Sequence, residues 1–162
     1  MTHAFFIARR EMMMTKMVRV VIDRCSERHI PCVVDAKREP MVYEGAIIKG
    51  NLDWATKYGG RGTVCDVTTR GPMWPWVRGH TDHYHGGRFD VTCVNHVGAG
   101  DCFAAHMTLA LACGFSLEDA AAVAHSAGRV YVQYAHNRPP HPSEIANDME
   151  GNSCTIEKEK TH

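Results

Sequence analysis

No stretch of this sequence stays apolar for anything near the roughly 20 residues that a membrane-spanning helix needs. Neither sign of charge is in surplus, because 18 basic and 18 acidic residues cancel. That balance gives no electrostatic footing for nucleic acid or an anionic membrane, and neither is expected as a partner. The seven cysteines (25, 32, 65, 93, 102, 113 and 154) include no C-x-x-C pair. Scattered and odd in number, several of them inside apolar runs, they read as free thiols of a reducing, cytoplasmic protein. The opening "MTHAFFIARREMMM" lacks the charge order of a secretory signal, since its short apolar patch precedes Arg9, Arg10 and Glu11. No internal repeat is present.

At 162 residues the chain suits one domain. A domain of this size buries roughly 70% of its unfolded surface, enough for a real core. Met14, Met17, Val18, Val21, Ile22 and Cys25 recur at helical spacing, so 14–29 reads as an amphipathic helix. "IPCVVD" (30–35) is a short continuous apolar run, the pattern of a strand covered on both faces, as in parallel sheets. "EGAIIKGN" (44–51) and "GTVCDVTTRG" (62–71) repeat that pattern with polar ends. Helix followed by strand, repeated, argues for an α/β fold. The texture changes over 72–93, where prolines, paired glycines, Trp74, Trp76 and "FDVTCV" read as antiparallel strands and loops.

A helix is expected over 99–113, stopped by Gly114. Ser116, with Asp119 three residues on, opens another over 117–134 in the manner of a capping box. Its alanines (120, 121, 122, 124, 127) allow close packing, and "HNRPPHP" ends it. Residues 1–13 read as irregular, 14–146 as the domain and 147–162 as a polar tail that frays.

The stretch "VNHVGAGDCFAAH" (94–106) carries the chemistry. Gly98 and Gly100 flank Ala99, and Asp101 follows at the mouth of a helix. Glycines there permit a sharp turn or a close backbone approach. A helix N-terminus carries about half a positive charge and seats phosphate well. A carboxylate in the same turn can take a proton from a hydroxyl. A base beside a donor cluster is what a hydroxyl attacking a phosphate requires. In open α/β sheets ligands sit beyond the carboxyl ends of the strands, which adds Asn51 and Thr69-Arg70-Gly71 to the candidates. The turn is not a Walker A loop, because no Lys-Ser/Thr follows it.

Other constellations have two readings. His80, His83 and His85 have metal-ligand spacing, yet sit in a glycine-framed hairpin tip where histidines gather cheaply. Trp74 and Trp76 either cover a sheet edge or offer a stacking surface. Cys102 is either a thiol activated by the helix end or small core.

"NHVGAGDCFAAHMTLALACGFSLEDAAAVAHSAG" resembles the C-terminal signature of the ribokinase-like (PfkB) carbohydrate kinases. "IPCVVDAKREPMVYEGAIIKGN" is similar to the family's strand, its "VDPK"-like turn and its "K-P-N-x-x-E" segment, and "VTTRG" to a strand end. Among subfamilies the nearest look is to heptose-phosphate kinases. The resemblance implies a ribokinase-like three-layer sandwich, truncated, without the N-terminal half and lid that supply most of the sugar pocket. It implies ATP and Mg2+ as cofactors and a sugar or sugar phosphate as substrate. Asp101 would be the base, and Gly98, Ala99 and Gly100 the anion hole. Asn51 and Asp53 would lie toward the magnesium-bound phosphates, Thr69, Arg70 and Gly71 would border the nucleotide, and His125 would fall near the adenine.

Departures accompany the likeness. Trp54 stands at the "N-x-x-E" glutamate, and Asn95 and Val97 replace the Asp and Thr of a monovalent-cation site. Only residues 52–62 join two strands where the family places a helix. The alternatives are therefore a non-catalytic nucleotide-binding or interaction module, or half of a split kinase. A chain with half a sheet is expected to expose an apolar edge, so self-association or a completing partner chain is a further expectation.

Overall fold

In a computed structural model, residues 4–7, 15–37, 39–59, 65–78 and 91–151 are described. The chain builds β1 (Phe5–Ile7), α1 (Thr15–Glu27), β2 (Cys32–Asp35), a 3-10 turn (Pro40–Tyr43), β3 (Ile47–Asn51), α2 (Leu52–Tyr58), β4 (Val67–Arg70) and β5 (Met73–Val77). Three helices complete it: α3 (Ala99–Ala112), α4 (Leu117–Tyr131) and α5 (Pro142–Gly151). The strands lie in the order β1-β2-β3-β4-β5. The first four pair in parallel, and β5 returns antiparallel beside β4.

Period-2 alternation sorts the strand side chains into two cores. Cys32, Val34 and Ile48 point to one face, where Val18, Ile22 and Cys25 of α1 and Trp54 and Ala55 of α2 meet them. Val33 and Val67 point to the other, against Phe103, Met107 and Ala110 of α3 and Ala120, Ala121 and Ala124 of α4. All four residues of β2 are buried. The result is the three-layer α/β/α sandwich expected from the sequence.

The helix ends follow local chemistry. Ser116 Oγ accepts from the Asp119 N–H at 3.0 Å. The reciprocal half of the box is absent, because the Asp119 carboxylate takes the Ser116 hydroxyl instead. Gly114 follows α3 with φ +87°, as a left-handed stop. Among the helical positions read on α1, Met17 stays half exposed while Val18, Ile22 and Cys25 are buried.

Three elements differ from expectation. Residues 1–13 read as irregular, yet β1 (Phe5–Ile7) pairs in parallel with β2 as a sheet edge. The 52–62 connection contains a short helix, α2, because Asn51 Oδ1 accepts from the Trp54 N–H at 2.8 Å and starts it. Helix α5 spans Pro142–Gly151, crossing the 146/147 boundary set from the sequence. Pro142 stands at its first position, and the Glu144 carboxylate accepts from the His141 N–H at 2.7 Å. The Arg129–Asp148 pair, 3.1 Å and buried, ties α5 to α4. His80, His83 and His85 lie outside the described residues.

Candidate active site

The parallel register gathers the candidates at the carboxyl ends of the strands. Asn51 stands opposite Thr69, and Asp35 opposite Lys49. The first turn of α3 closes over this edge. Gly98 is its N-cap in the left-handed conformation, φ +86°. A side chain there would also collide, since an added Cβ would lie 2.6 Å from the Tyr131 hydroxyl. That hydroxyl donates to the Val97 carbonyl at 2.7 Å and pins the loop to α4.

Behind the turn the N–H groups of Gly98, Gly100 and Asp101 donate to no described residue. The Ala99 N–H differs, donating to the His96 carbonyl at 3.1 Å. The Asp101 side chain is exposed and forms no ion pair with a described residue. Of the three residues expected to form the anion hole, Gly98 and Gly100 keep open amides, Ala99 spends its own on His96, and the open amide of Asp101 lies beside them.

A cavity of about 440 Å³ opens beside this turn. That volume lies in the range of small-molecule sites, roughly 300–1,000 Å³. Ala99 and Gly100 form one wall, Thr69 and Gly71 another, and His125 a third. Met73, Phe103 and Val132 make it largely apolar. His125 is 6% exposed, and its ring lies 4.9 Å from that of Trp74. Burial first, then the Arg129 and Arg70 charges, push its pKa down to about 4, against a smaller opposing effect of Asp148. The ring therefore lines the cavity as a neutral imidazole.

Several expected residues face elsewhere. The Asn51 side chain caps α2, and Asp53 is exposed in that helix's first turn. Both Nε and Nη2 of Arg70 donate to the Trp74 carbonyl, 2.8 and 2.6 Å, and its guanidinium lies over the Trp76 ring. Trp54, at the glutamate position of the resemblance, is core, 7% exposed. Asn95 ties its own loop, with Oδ1 accepting from the Val97 N–H and Nδ2 donating to Asn137. Burial raises the Cys102 thiol to about 11, so it is small core rather than an activated nucleophile. No cluster of three His, Cys, Asp or Glu side chains is placed to hold a metal among the described residues.

Asp35, Lys37 and Lys49 stand in the segments likened to the "VDPK" turn and to "K-P-N", but no role was assigned to them from the sequence. Lys49 is 3% exposed, and its Nζ contacts Asp35 Oδ1 at 2.8 Å and the Gly100 carbonyl at 3.4 Å. Lys37 holds the other Asp35 oxygen at 2.9 Å. The available signal was a single charge ending each of two otherwise apolar strands, "CVVD" and "IIK".

Residues 66–144 match the profile of the pfkB family carbohydrate kinases. Escherichia coli phosphofructokinase-2, solved with substrates and products, superposes with a TM-score of 0.70 at 17% identity, over 93% of this chain and 56% of that one. Arabidopsis thaliana ribokinase, complexed with ribose and ATP, gives 0.66 at 14%, over 85% and 53%. Thermotoga maritima ribokinase gives 0.60 at 16%, over 78% and 52%. The chain spans about half the length of these structures. No curated protein matches it in sequence.

Proposed function

Starting from a pfkB carbohydrate-kinase segment, residues 66–144, within a ribokinase-like fold, we propose that this chain takes part in phosphoryl transfer from ATP to a hydroxyl of a sugar or sugar phosphate. One observation carries the reading: an exposed Asp101 and open amides share one helical turn at the rim of a 440 Å³ cavity. Asp101 takes the proton of the attacking hydroxyl, and the amides of Gly98, Gly100 and Asp101 bear the charge shifting onto the transferred group. The apolar cavity lined by His125, Met73 and Val132 accepts the base of the nucleotide, and Thr69 and Gly71 border it.

The cavity's volume and lining suit a nucleotide. Mg2+ commonly arrives with phosphates and takes only one or two protein carboxylates. Asp101 is the exposed carboxylate on this turn, and bound Mg2+ would offset phosphate charge. The test is ATP turnover with a panel of sugars and heptose phosphates, wild type against Asp101→Asn. Loss of turnover in the variant supports the role of Asp101, and equal rates remove it.

A second reading, nucleotide binding without turnover by this chain alone, has its own support. Trp54 is packed in the core where the resemblance expects a glutamate, and the matched structures are about twice as long. Calorimetric titration with Mg-ATP separates the two. Binding without turnover favours this second reading, with the sugar pocket supplied by a partner chain. Co-purification of such a partner would support completion from outside.

A further inference from the structure

Two loops meet beside the anion seat: 94–98, which enters α3, and 132–138, which leaves α4. Hydrogen bonds between protein groups join them. The Val132 carbonyl accepts from the N–H groups of Val94 and Asn95, at 2.8 and 3.1 Å, which uses both of its lone pairs. Asn95 Oδ1 accepts from the Val97 N–H at 3.0 Å, and its Nδ2 donates to Asn137 Oδ1 at 2.9 Å. The Tyr131 hydroxyl donates to the Val97 carbonyl at 2.7 Å. The His96 and Gly98 carbonyls accept from the N–H groups of Ala99 and Cys102.

That last hydroxyl bond sets a direction. The Val97 carbonyl and the Gly98 N–H belong to one trans peptide plane, so they point opposite ways. Holding the carbonyl against Tyr131 turns the Gly98 amide away from that hydroxyl, where it donates to no described residue. Tyr131 is the last residue of α4 and 7% exposed, packed with Cys102, Ala127 and Ile145. Its ring is therefore a fixed post and does not follow the loop. The approach is close: a Cβ at Gly98 would lie 2.6 Å from the hydroxyl, so a residue without a side chain is what lets the phenol reach the carbonyl.

The monovalent-cation site implied by the family resemblance does not fit these residues. Hard cations bind oxygen atoms, carboxylates among them. Neither loop carries an acid, and the Asp and Thr of the resemblance are Asn95 and Val97. His96, His136 and Arg138 add neutral or positive groups only. The Asn95 side chain turns an N–H donor, not an oxygen, toward the opposite loop, and each oxygen named above already accepts a hydrogen bond.

We infer that Tyr131 is a positioning residue for the anion seat: through the Val97 carbonyl it aims the Gly98 amide, and with the Asn95–Asn137 pair it joins the two loops so that the seat needs no monovalent cation. This rests on the anion-seat reading above and adds to it what holds the seat in shape.

The experiment is calorimetric titration of the full chain with inorganic tripolyphosphate and with adenosine. Each titration is run in potassium, sodium and tetramethylammonium chloride at equal ionic strength. Wild type is compared with Tyr131→Phe and Asn137→Ala, with a melting curve for each. Wild-type affinity for tripolyphosphate is expected to stay within about twofold across the three salts. Tyr131→Phe should lose about 5- to 10-fold in tripolyphosphate affinity, the worth of one hydrogen bond, with adenosine within about twofold of wild type. Asn137→Ala should lose about 3- to 5-fold. Its side chain is exposed, so it carries the test if Tyr131→Phe fails to fold. A purely structural role would weaken both ligands together, and that result overturns the inference, as does unchanged tripolyphosphate affinity in the folded variants. Wild-type binding more than about fivefold tighter in potassium or sodium than in tetramethylammonium also overturns it, because a cation would then be shaping the seat. A wild type that binds no tripolyphosphate in any salt overturns it together with the anion-seat reading.

Discussion

Replacing Gly98 by alanine tests the whole geometry of the site's mouth. Three effects add. A residue with a Cβ pays about 1–2 kcal/mol to hold φ +86°. The added carbon would lie 2.6 Å from the Tyr131 hydroxyl, so the ring must move. Moving it breaks the 2.7 Å bond to the Val97 carbonyl, worth about 1 kcal/mol, and disturbs a ring that is 7% exposed. Gly98→Ala is therefore expected to cost about 3 kcal/mol, or roughly 6–12 °C in melting temperature. Tyr131→Phe alone should cost about 1 kcal/mol. The double variant removes the closest clash and leaves the ring carbon Cζ at 3.4 Å, a tolerable contact. It should cost about 2.5 kcal/mol, roughly 1.5 less than the sum of the singles. Urea denaturation of the four proteins measures the cycle. A cost below about 0.5 kcal/mol for Gly98→Ala, or strict additivity, would refute the claim that Tyr131 and the left-handed cap fix this turn together.

Other consequences are as direct. Asp101→Asn should lower turnover by about 10²-fold or more and leave stability within about 0.5 kcal/mol, because the side chain is exposed. Gly50→Ala should destabilise by about 1–3 kcal/mol, since its Cβ would meet Cys65 Sγ at 2.7 Å and Trp54 Cε3 at 2.9 Å; denaturation midpoints report it. His125 titrates near 4 when folded and near 6.5 when unfolded. Below 6.5 the unfolded chain takes up a proton that the folded one refuses. Its contribution is thus complete above pH 6.5 and falls away toward pH 4, by about 3 kcal/mol. The drop in stability between pH 7 and pH 4 should be smaller in His125→Asn by about that amount, and an equal drop in both proteins would show the imidazole to be accessible.

Much of this architecture was legible in order, because local pattern and tertiary context agree. The 99–113 expectation met α3 at Ala99–Ala112, and 14–29 met α1 at Thr15–Glu27. Strands came out shorter than their apolar runs. β3 begins at Ile47 rather than 44 because Glu44 and Gly45 turn. α4 ends at Tyr131, three residues early, with Val132 as its C-cap. Two helices escaped notice through misread punctuation. Asn51, a ligand candidate by its place at a strand end, serves as a cap, while Pro142, in the proline cluster that ends α4, opens α5. At the site, the glycine-flanked acid was readable because its neighbours in space are its neighbours in sequence. Lys49 and Asp35 were not, because their meeting depends on which strands pair and in what register.

That register has a consequence for how the sheet assembles. Slide β2 by one position against β3, and Asp35 swings to the α1 side while Lys49 stays beneath α3. Lys49 would then be left in a dry interior without the carboxylate that pairs it. An apolar pair would tolerate such a slip at modest cost, but this one punishes it heavily. The buried pair is therefore also a proofreading lock on strand alignment.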